Sequence, residues 1–435
     1  MKFKIHRGSK EIGGSCVEVW TESTRILLDF GMPLIFKDSK DFNFQEFKDL
    51  TLDELINLGI LPNIDGLYLD SDKMIDGLII SHSHQDHYGL IQYINKKIPH
   101  YLGEATHEII NINTIFTSQK HQIINAYYFE KEKTFQIGDI SITPYWADHS
   151  AFDAYSFLVE AEGKSLFYSG DFRAHGRKSK AFYWFTHNAP LDVDYLLLEG
   201  TTISRKIKSF KTEIEIENDL LNLFQENGKI NLIYSSGLNI DRIVSIYRAC
   251  IRANKILVVD VYVGTILKTL SKFGLIPFPS KEFKNLKIIF SKYLCNRLKK
   301  EGNEKIFYQF KNYKIEKNEI SEQLDNIVML VRPSMQKEIE NIAGIDGGNF
   351  IYSMWEGYLK KNDTMKFLDY LTNRHFTLHK VHTSGHADTK TLLKMVEAMK
   401  PKLIVPIHTF EGDIYNTIFK EPIVRLNDGE TIEID

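Results

Sequence analysis

The run His82-Ser83-His84-Gln85-Asp86-His87 constrains this chain more than any other stretch of it. Three imidazoles and a carboxylate follow directly on an apolar segment, 77–80, that reads as a short buried strand. Alternate side chains of an extended strand share a face, so His82 and His84 can grip one cation together. The chain then turns into a helix start, which lets Asp86 and His87 aim at a second. Imidazole and carboxylate suit Zn²⁺ or Mn²⁺. The competing explanation is a histidine-rich surface turn, and ligand groups packed this densely behind a buried strand argue against it.

Thiols offer no alternative metal site. Cys16, Cys250 and Cys295 have no paired spacing, so they read as free thiols of a reducing cytoplasm rather than a disulfide framework or thiolate zinc site. The N-terminus lacks the apolar segment of a signal peptide, and no apolar run approaches the length of a bilayer. A cytoplasmic chain with no membrane partner is expected. Its 435 residues suffice for two or three domains.

Along the chain, short strands with helices between them fill the first 200 residues: strands at 15–20, 25–29, 77–81, 140–146, 155–160, 165–168 and 194–198, with a helix over 88–97. The rhythm then changes. A helix at 219–226, a strand at 231–234, a helix at 240–253 and a strand at 255–260 imply a parallel sheet with crossover helices. Lysine-rich polar sequence occupies 281–325, and a strand follows at 327–331. The end returns to alternation: strand 376–382, helix 389–399, strand 403–407. This pattern predicts an α/β unit, 205–375, inserted into a domain made of 1–204 and 376–435. Charge divides the same way. The insert carries 28 Lys/Arg against 20 Asp/Glu, a net +8, which leaves −11 of the chain's −3 elsewhere. Charge runs are commonly solvated faces, but a basic insert beside an acidic metal site suggests a polyanion.

Further ligands are expected at other strand ends, and His149, Asp171 and His408 each follow an apolar strand. Asp171 is the best bridging candidate, because a carboxylate can span two cations about 3.5–4 Å apart. Two cations sharing a hydroxide provide a nucleophile at neutral pH and a clamp for developing charge, chemistry that serves phosphodiester and ester hydrolysis alike.

The turn His82–His87, followed by His149, Asp171 and His408, resembles the metallo-β-lactamase fold, an αββα sandwich. Asp29 in Leu27-Leu28-Asp29-Phe30-Gly31 matches that family's first motif, an acidic residue that orients ligands. The resemblance implies two Zn²⁺ ions, with Mn²⁺ as an alternative. His82, His84 and His149 would hold one; Asp86, His87 and His408 the other; Asp171 would bridge. Glu199, His386 in Ser384-Gly385-His386-Ala387, and His408 in turn resemble motifs A, B and C of the β-CASP nucleases, whose ribonuclease J form carries an inserted domain between A and B. Glu199, His386 and Asp86 are then the catalytic candidates. His386 would act as general acid on the leaving oxygen, and Glu199 would favour its protonated form. The basic insert would close over the metals and track a single-stranded RNA backbone. Ser235, Ser236, Asn239, Arg242, Ser384 and Gly385 are the candidate backbone contacts. Asn239 also reads as the N-cap of a helix, whose amino end binds phosphate well.

The expected activity is hydrolysis of RNA phosphodiester bonds, 5′→3′ exonucleolytic or endonucleolytic. A DNA nuclease of the same fold is the first alternative, though a histidine at 408 favours RNA. A thioesterase or lactonase is the second, and the inserted domain and His386 argue against it. The chain ends 27 residues after His408, so oligomerisation through a ribonuclease J-type C-terminal domain is not expected.

Overall fold

The computed structural model describes residues 1–36, 40–69, 74–117, 122–205, 209–226 and 228–434. It divides into two compact units. Unit 1 comprises Met1–Ser209 and Gly385–Asp435, and unit 2 comprises Phe210–Ser384.

Unit 1 is built on two sheets. The seven-stranded sheet runs, edge to edge, Thr431–Glu433, Lys2–Arg7, Cys16–Trp20, Arg25–Leu28, Gly77–Ile79, His100–Leu102 and Ala126–Tyr128. The six-stranded sheet runs Leu403–Ile407, Tyr195–Glu199, Lys164–Tyr168, Ala154–Ala161, Ile140–Ala147 and Phe135–Ile137. Strand alternation decides what packs where. Ile26 and Leu28 join Phe3, Val17, Phe157, Leu166 and Val405 in the core between the sheets. Leu27 and Leu78 point the other way, against Leu55 of the helix Leu52–Asn57 and Ile110 of Glu104–Phe116. Phe167 and Leu196 similarly meet Phe182 and Phe185 of Ser179–Asn188 and Leu392 and Met395 of Thr389–Met399. The result is an αββα sandwich. No helix among the described residues is long and apolar enough to cross a membrane.

Unit 2 holds a six-stranded sheet in the order Leu286–Ile289, Ile256–Asp260, Ile327–Val331, Asn231–Tyr234, Gly348–Tyr352, Phe376–Lys380. Every neighbouring pair in it is parallel. Its central strand Ile327–Val331 is buried at every position, as a parallel sheet covered on both faces requires.

Three sequence expectations need correction. The helix expected over 88–97 is replaced by one α-turn, Gln85–Tyr88, and a 3₁₀ turn, Ile91–Tyr93. Gly89 and the Asn95 turn divide the segment. The lysine-rich stretch contains an edge strand, Leu286–Ile289, and the helix Lys292–Lys300, which buries only Leu294 and Leu298. The strand Phe376–Lys380, assigned from sequence to the flanking domain, pairs with Gly348–Tyr352 as the opposite edge of the unit 2 sheet. An edge strand exposes part of its length and so alternates like the strands of an antiparallel sheet.

Candidate metal centre

The His82–His87 turn is held by its own backbone. Ser15 N–H donates to Asp86 O (3.0 Å), Phe30 N–H to His87 O (2.8 Å) and Met32 N–H to Gln85 O (2.9 Å). Gly31 makes this close approach possible, since a Cβ there would fall 1.7 Å from Asp86 O. His84 is extended (ψ 144°) and begins the α-turn that carries Asp86 and His87, whose ring centroid lies 4.1 Å from that of His82.

His82, His84 and His149 form one cluster, and Asp86, His87, Asp171 and His408 another. Within each, the candidate ligand atoms all lie within 4.8 Å of one another. His84 Nδ1 is 3.1 Å from both His82 Nε2 and His149 Nε2. Burial holds His82 and His149 well below the usual imidazole range and takes His84 down to about 4, so these rings keep their lone pairs. Asp171 reaches both clusters: its Oδ2 is 3.1 Å from His87 Nε2 and 3.8 Å from His82 Nε2. Burial opposes its ionisation, but His408, His87 and His386 hold the carboxyl well below its ordinary value. Asp86 behaves alike: burial opposes, and His408 and His87 bring it down to about 2.

These residues fit divalent cations on grounds internal to the chain. Among the described residues, Asp171 Oδ1 and His408 Nε2 are buried without a hydrogen bond, an expensive condition unless another group completes them. Neutral imidazoles and ionised carboxylates converging in this number are a donor set for Zn²⁺ or Mn²⁺.

A supporting layer aims the rings. Asp29, in a left-handed conformation (φ 60°), accepts at Oδ2 from His87 Nδ1–H, Tyr168 O–H and Ser81 O–H, each at 2.7 Å. His408 also has positive φ (51°), and its Nδ1 lies 2.8 Å from Thr201 Oγ1. His149 Nδ1–H donates to Gly385 O at 2.7 Å, and Lys178 Nζ donates to the carbonyls of His149 and Ala151, both at 2.8 Å. Such partners fix tautomer and orientation and leave the other nitrogen free to bind. Sequence reasoning missed Ser81, Tyr168, Thr201 and Lys178. The available signal was positional: Ser81 adjoins His82, Tyr168 ends the strand before Asp171, and Thr201 follows Glu199 by two residues.

His386 Nδ1 stands 3.5 Å from Glu199 Oε1 and 3.7 Å from Asp171 Oδ2, and the side chain is 21% exposed. Burial works against its protonation, yet Asp171 and Glu199 raise its pKa above the ordinary value. Glu199 is held by Thr201 N–H (2.9 Å) and Ala387 N–H (3.2 Å). Glu199, His386 and His408 form a third grouping close enough to hold an ion.

The candidate backbone contacts fare differently. Asn239 caps the helix Ile240–Arg252 by accepting from Arg242 N–H at 3.1 Å. Ser235 Oγ is buried with no hydrogen-bond partner among the described residues, and Ser236 Oγ accepts from Leu238 N–H. Ser384 is buried in unit 2, and Gly385 gives its carbonyl to His149. Arg242 requires correction. Its guanidinium is fully buried, bonded to both oxygens of Glu213 (3.1 and 3.0 Å) and to Ser353. It is an internal ion pair, with no face left for a phosphate.

Comparison with known proteins agrees with this architecture. Residues 66–209 match a family model described as a β-lactamase superfamily domain, and residues 373–414 match a Zn-dependent metallo-hydrolase RNA specificity domain. The chain is similar to ribonuclease J of Helicobacter pylori, 23% identical over 98% of this chain and 60% of that protein. It is also similar to an RNase J-like protein of Methanocaldococcus jannaschii, 26% identical over 60% of this chain and 57% of the other. The chain thus spans about 60% of the length of the ribonuclease J it matches. A crystal structure of a protein of unknown function from Enterococcus faecalis superposes with a TM-score of 0.80 at 21% identity, covering 99% of both chains, which shows a shared fold. The chain therefore carries a metallo-β-lactamase domain together with an RNA-specificity segment, and fits the β-CASP, ribonuclease J-like form of that fold.

Proposed function

We propose that this chain is a metal-dependent ribonuclease that hydrolyses phosphodiester bonds of single-stranded RNA, in the cytoplasm, with two Zn²⁺ or Mn²⁺ ions. The observation that carries this reading is the position of Asp171, within 4 Å of both histidine clusters and of His386. His82, His84 and His149 would hold one ion, Asp86, His87 and His408 the other, with Asp171 shared. Bound there, two cations supply a nucleophile at neutral pH and neutralise charge developing on phosphorus-bound oxygens.

The chain's own residues do the rest. Asp29, Ser81 and Tyr168 orient His87, and Thr201 orients His408. His386, whose affinity for a proton Asp171 and Glu199 raise against the effect of burial, would donate a proton to the departing sugar oxygen. Glu199, fixed by two backbone N–H groups, keeps His386 in place and charged. The His386 imidazole is partly exposed and can meet substrate, whereas those of His82, His87, His149 and His408 are buried. In unit 2, Ser235, with its orphaned hydroxyl, Ser236 and the amino end of the Asn239-capped helix are the backbone-phosphate contacts this reading assigns.

The test is to incubate the metal-loaded full chain with RNA bearing a 5′-monophosphate, RNA bearing a 5′-triphosphate, circular RNA and matched DNA. Cleavage of the circle marks endonuclease activity, and mononucleotides from the 5′-monophosphate form alone mark exonuclease activity. Turnover of DNA, or of a thioester or lactone, with all RNA left intact overturns the proposal.

A further inference from the structure

Unit 1 contains a cleft of about 520 Å³ whose walls include Arg7, Glu11, Phe36, Leu61, Phe410 and Asp428. None of these belongs to the metal clusters, yet the cleft adjoins them. Gly8 O accepts from His408 N–H at 2.7 Å, and Phe410 follows His408 by two residues. A Cβ on Gly13 would lie 3.2 Å from Asp86 Cβ, so the loop forming one wall rests on a candidate ligand.

Besides Arg7, His6 and Asn63, the cleft carries two carboxylates, Glu11 and Asp428. Arg7 spends its guanidinium on the chain itself, donating from Nη1 to Ile60 O at 2.8 Å and from Nη2 to Gly59 O. Its Nε is 3.5 Å from Glu11 Oε1, and Glu11 has no hydrogen bond among the described residues. Asp428 accepts at Oδ1 from Ser9 N–H (3.1 Å). Burial and the neighbouring Asp428 push the Glu11 carboxyl up to about 7, against the pull of Arg7. Phe410 presents an aromatic ring 48% exposed. A flat apolar group with paired N–H donors on one edge would satisfy both the ring and the carboxylates.

Among nucleobases, guanine alone carries two adjacent donors, N1–H and the N2 amino group, able to meet one carboxylate side by side. Adenine and cytosine set an acceptor beside their amino group, and uracil flanks its single N–H with two carbonyls, so each leaves a carboxylate facing a lone pair. We propose that this cleft binds a guanine base of the substrate strand, its Watson–Crick edge on Glu11 and Asp428 and its face against Phe410, beside the phosphodiester presented to the metal clusters. The inference rests on the ribonuclease reading for the strand to which the base belongs, but not for the pocket itself.

Two measurements separate them. First, equilibrium binding of guanosine, inosine and adenosine to the full chain, with and without Zn²⁺, reads the pocket alone. Guanosine is expected to bind roughly tenfold or more tightly than inosine, which lacks the N2 amino group, a factor typical of a paired donor contact. Glu11→Gln should erase that preference, and Phe410→Ala, at an exposed position, should weaken all three nucleosides. Second, cleavage of RNAs differing only by guanosine, inosine or 7-deazaguanosine at single positions should show one site where inosine slows cutting and 7-deazaguanosine does not. Equal binding of the nucleosides, or none, overturns the inference even if RNA is cut. Selective guanosine binding without RNA cleavage upholds the pocket and overturns the ribonuclease reading.

Discussion

Asp171 and His87 face each other with Oδ2 and Nε2 3.1 Å apart, while the opposite nitrogen of His87 is 2.7 Å from Asp29 Oδ2. One imidazole is thus clamped between a carboxylate that can bind metal and a carboxylate that only orients. Burial disfavours the imidazolium, but the two carboxylates raise the His87 pKa well above its usual value. A cation bound at Asp171 would displace that proton, so metal uptake should release protons. Asp171→Asn should lower metal content from two ions per chain to one or none, measured by mass spectrometry under native conditions, with a fold unchanged by circular dichroism. Retention of both ions would exclude Asp171 as the shared ligand.

Tyr168→Phe removes a hydrogen bond to Asp29 while preserving ring packing, and Thr201→Val removes the partner of His408 Nδ1. Loss of an orienting partner typically weakens metal binding by roughly 10–100-fold. Chelator competition should show that loss in both variants. Unchanged affinity would mean that ring packing alone orients His87 and His408.

His386→Ala should retain both metals and lose most turnover, whereas loss of an ion would make His386 a ligand of the third grouping. Glu199→Gln should move the alkaline limb of the kcat/KM profile to lower pH. The sign follows from the raised pKa of His386: removing a carboxylate charge stabilises the proton less, so the acid form is lost earlier as pH rises. A limb that stays in place would mean that His386 is not the acid being titrated.

Metal-free protein should lose stability as pH falls from 6.5 towards 4. His84 has its pKa lowered from 6.5 to about 4 by burial, and His82 and His149 are lowered in the same direction. In that window the unfolded chain takes up protons that the folded chain refuses, so unfolding gains. The raised His87 and His386 oppose the effect near pH 6.5, where the unfolded chain is only half protonated at these positions; by about pH 5 they are protonated in both states and the loss proceeds unopposed. Thermal melts of the chelated chain across this range should fall with pH, and a flat profile would contradict the burial of these rings.

Arg242→Ala should destabilise the chain by about 3–5 kcal/mol, because it removes the countercharge of the buried Glu213 carboxylate. Replacing both residues with apolar side chains of similar volume should restore much of that loss, read from denaturant midpoints. If Arg242→Ala leaves stability intact and weakens only RNA binding, Arg242 is a phosphate contact after all.

Much of this site is legible from sequence because its chemistry is local or sits at strand ends. The His82–His87 turn is contiguous, and His149, Asp171, Glu199 and His408 each follow an apolar run that reads as a strand. The partners of these groups are less accessible. Tyr168 and Thr201 look like ordinary strand and turn residues until the Asp29 and His408 they touch, 139 and 207 residues away, are placed. Arg242 misleads for a related reason: a helix-start arginine normally faces water, and only Glu213 on a neighbouring helix explains its burial. The edge strand Leu286–Ile289 escapes because it is four residues long within lysine-rich sequence, and Phe376–Lys380 reads as a strand but is assigned to the wrong unit because nothing local says which sheet it joins.

Filled with metal, the two clusters are expected to cut RNA. Hydrolysis of a single-stranded RNA by the full chain, followed before chelation, after chelation and after restoring Zn²⁺ or Mn²⁺, tests it most directly. Cleavage should disappear with the metal, return with it, and be absent from Asp86→Ala/His87→Ala under every condition. RNA cleavage that survives chelation, or that the doubly substituted chain retains, would contradict it.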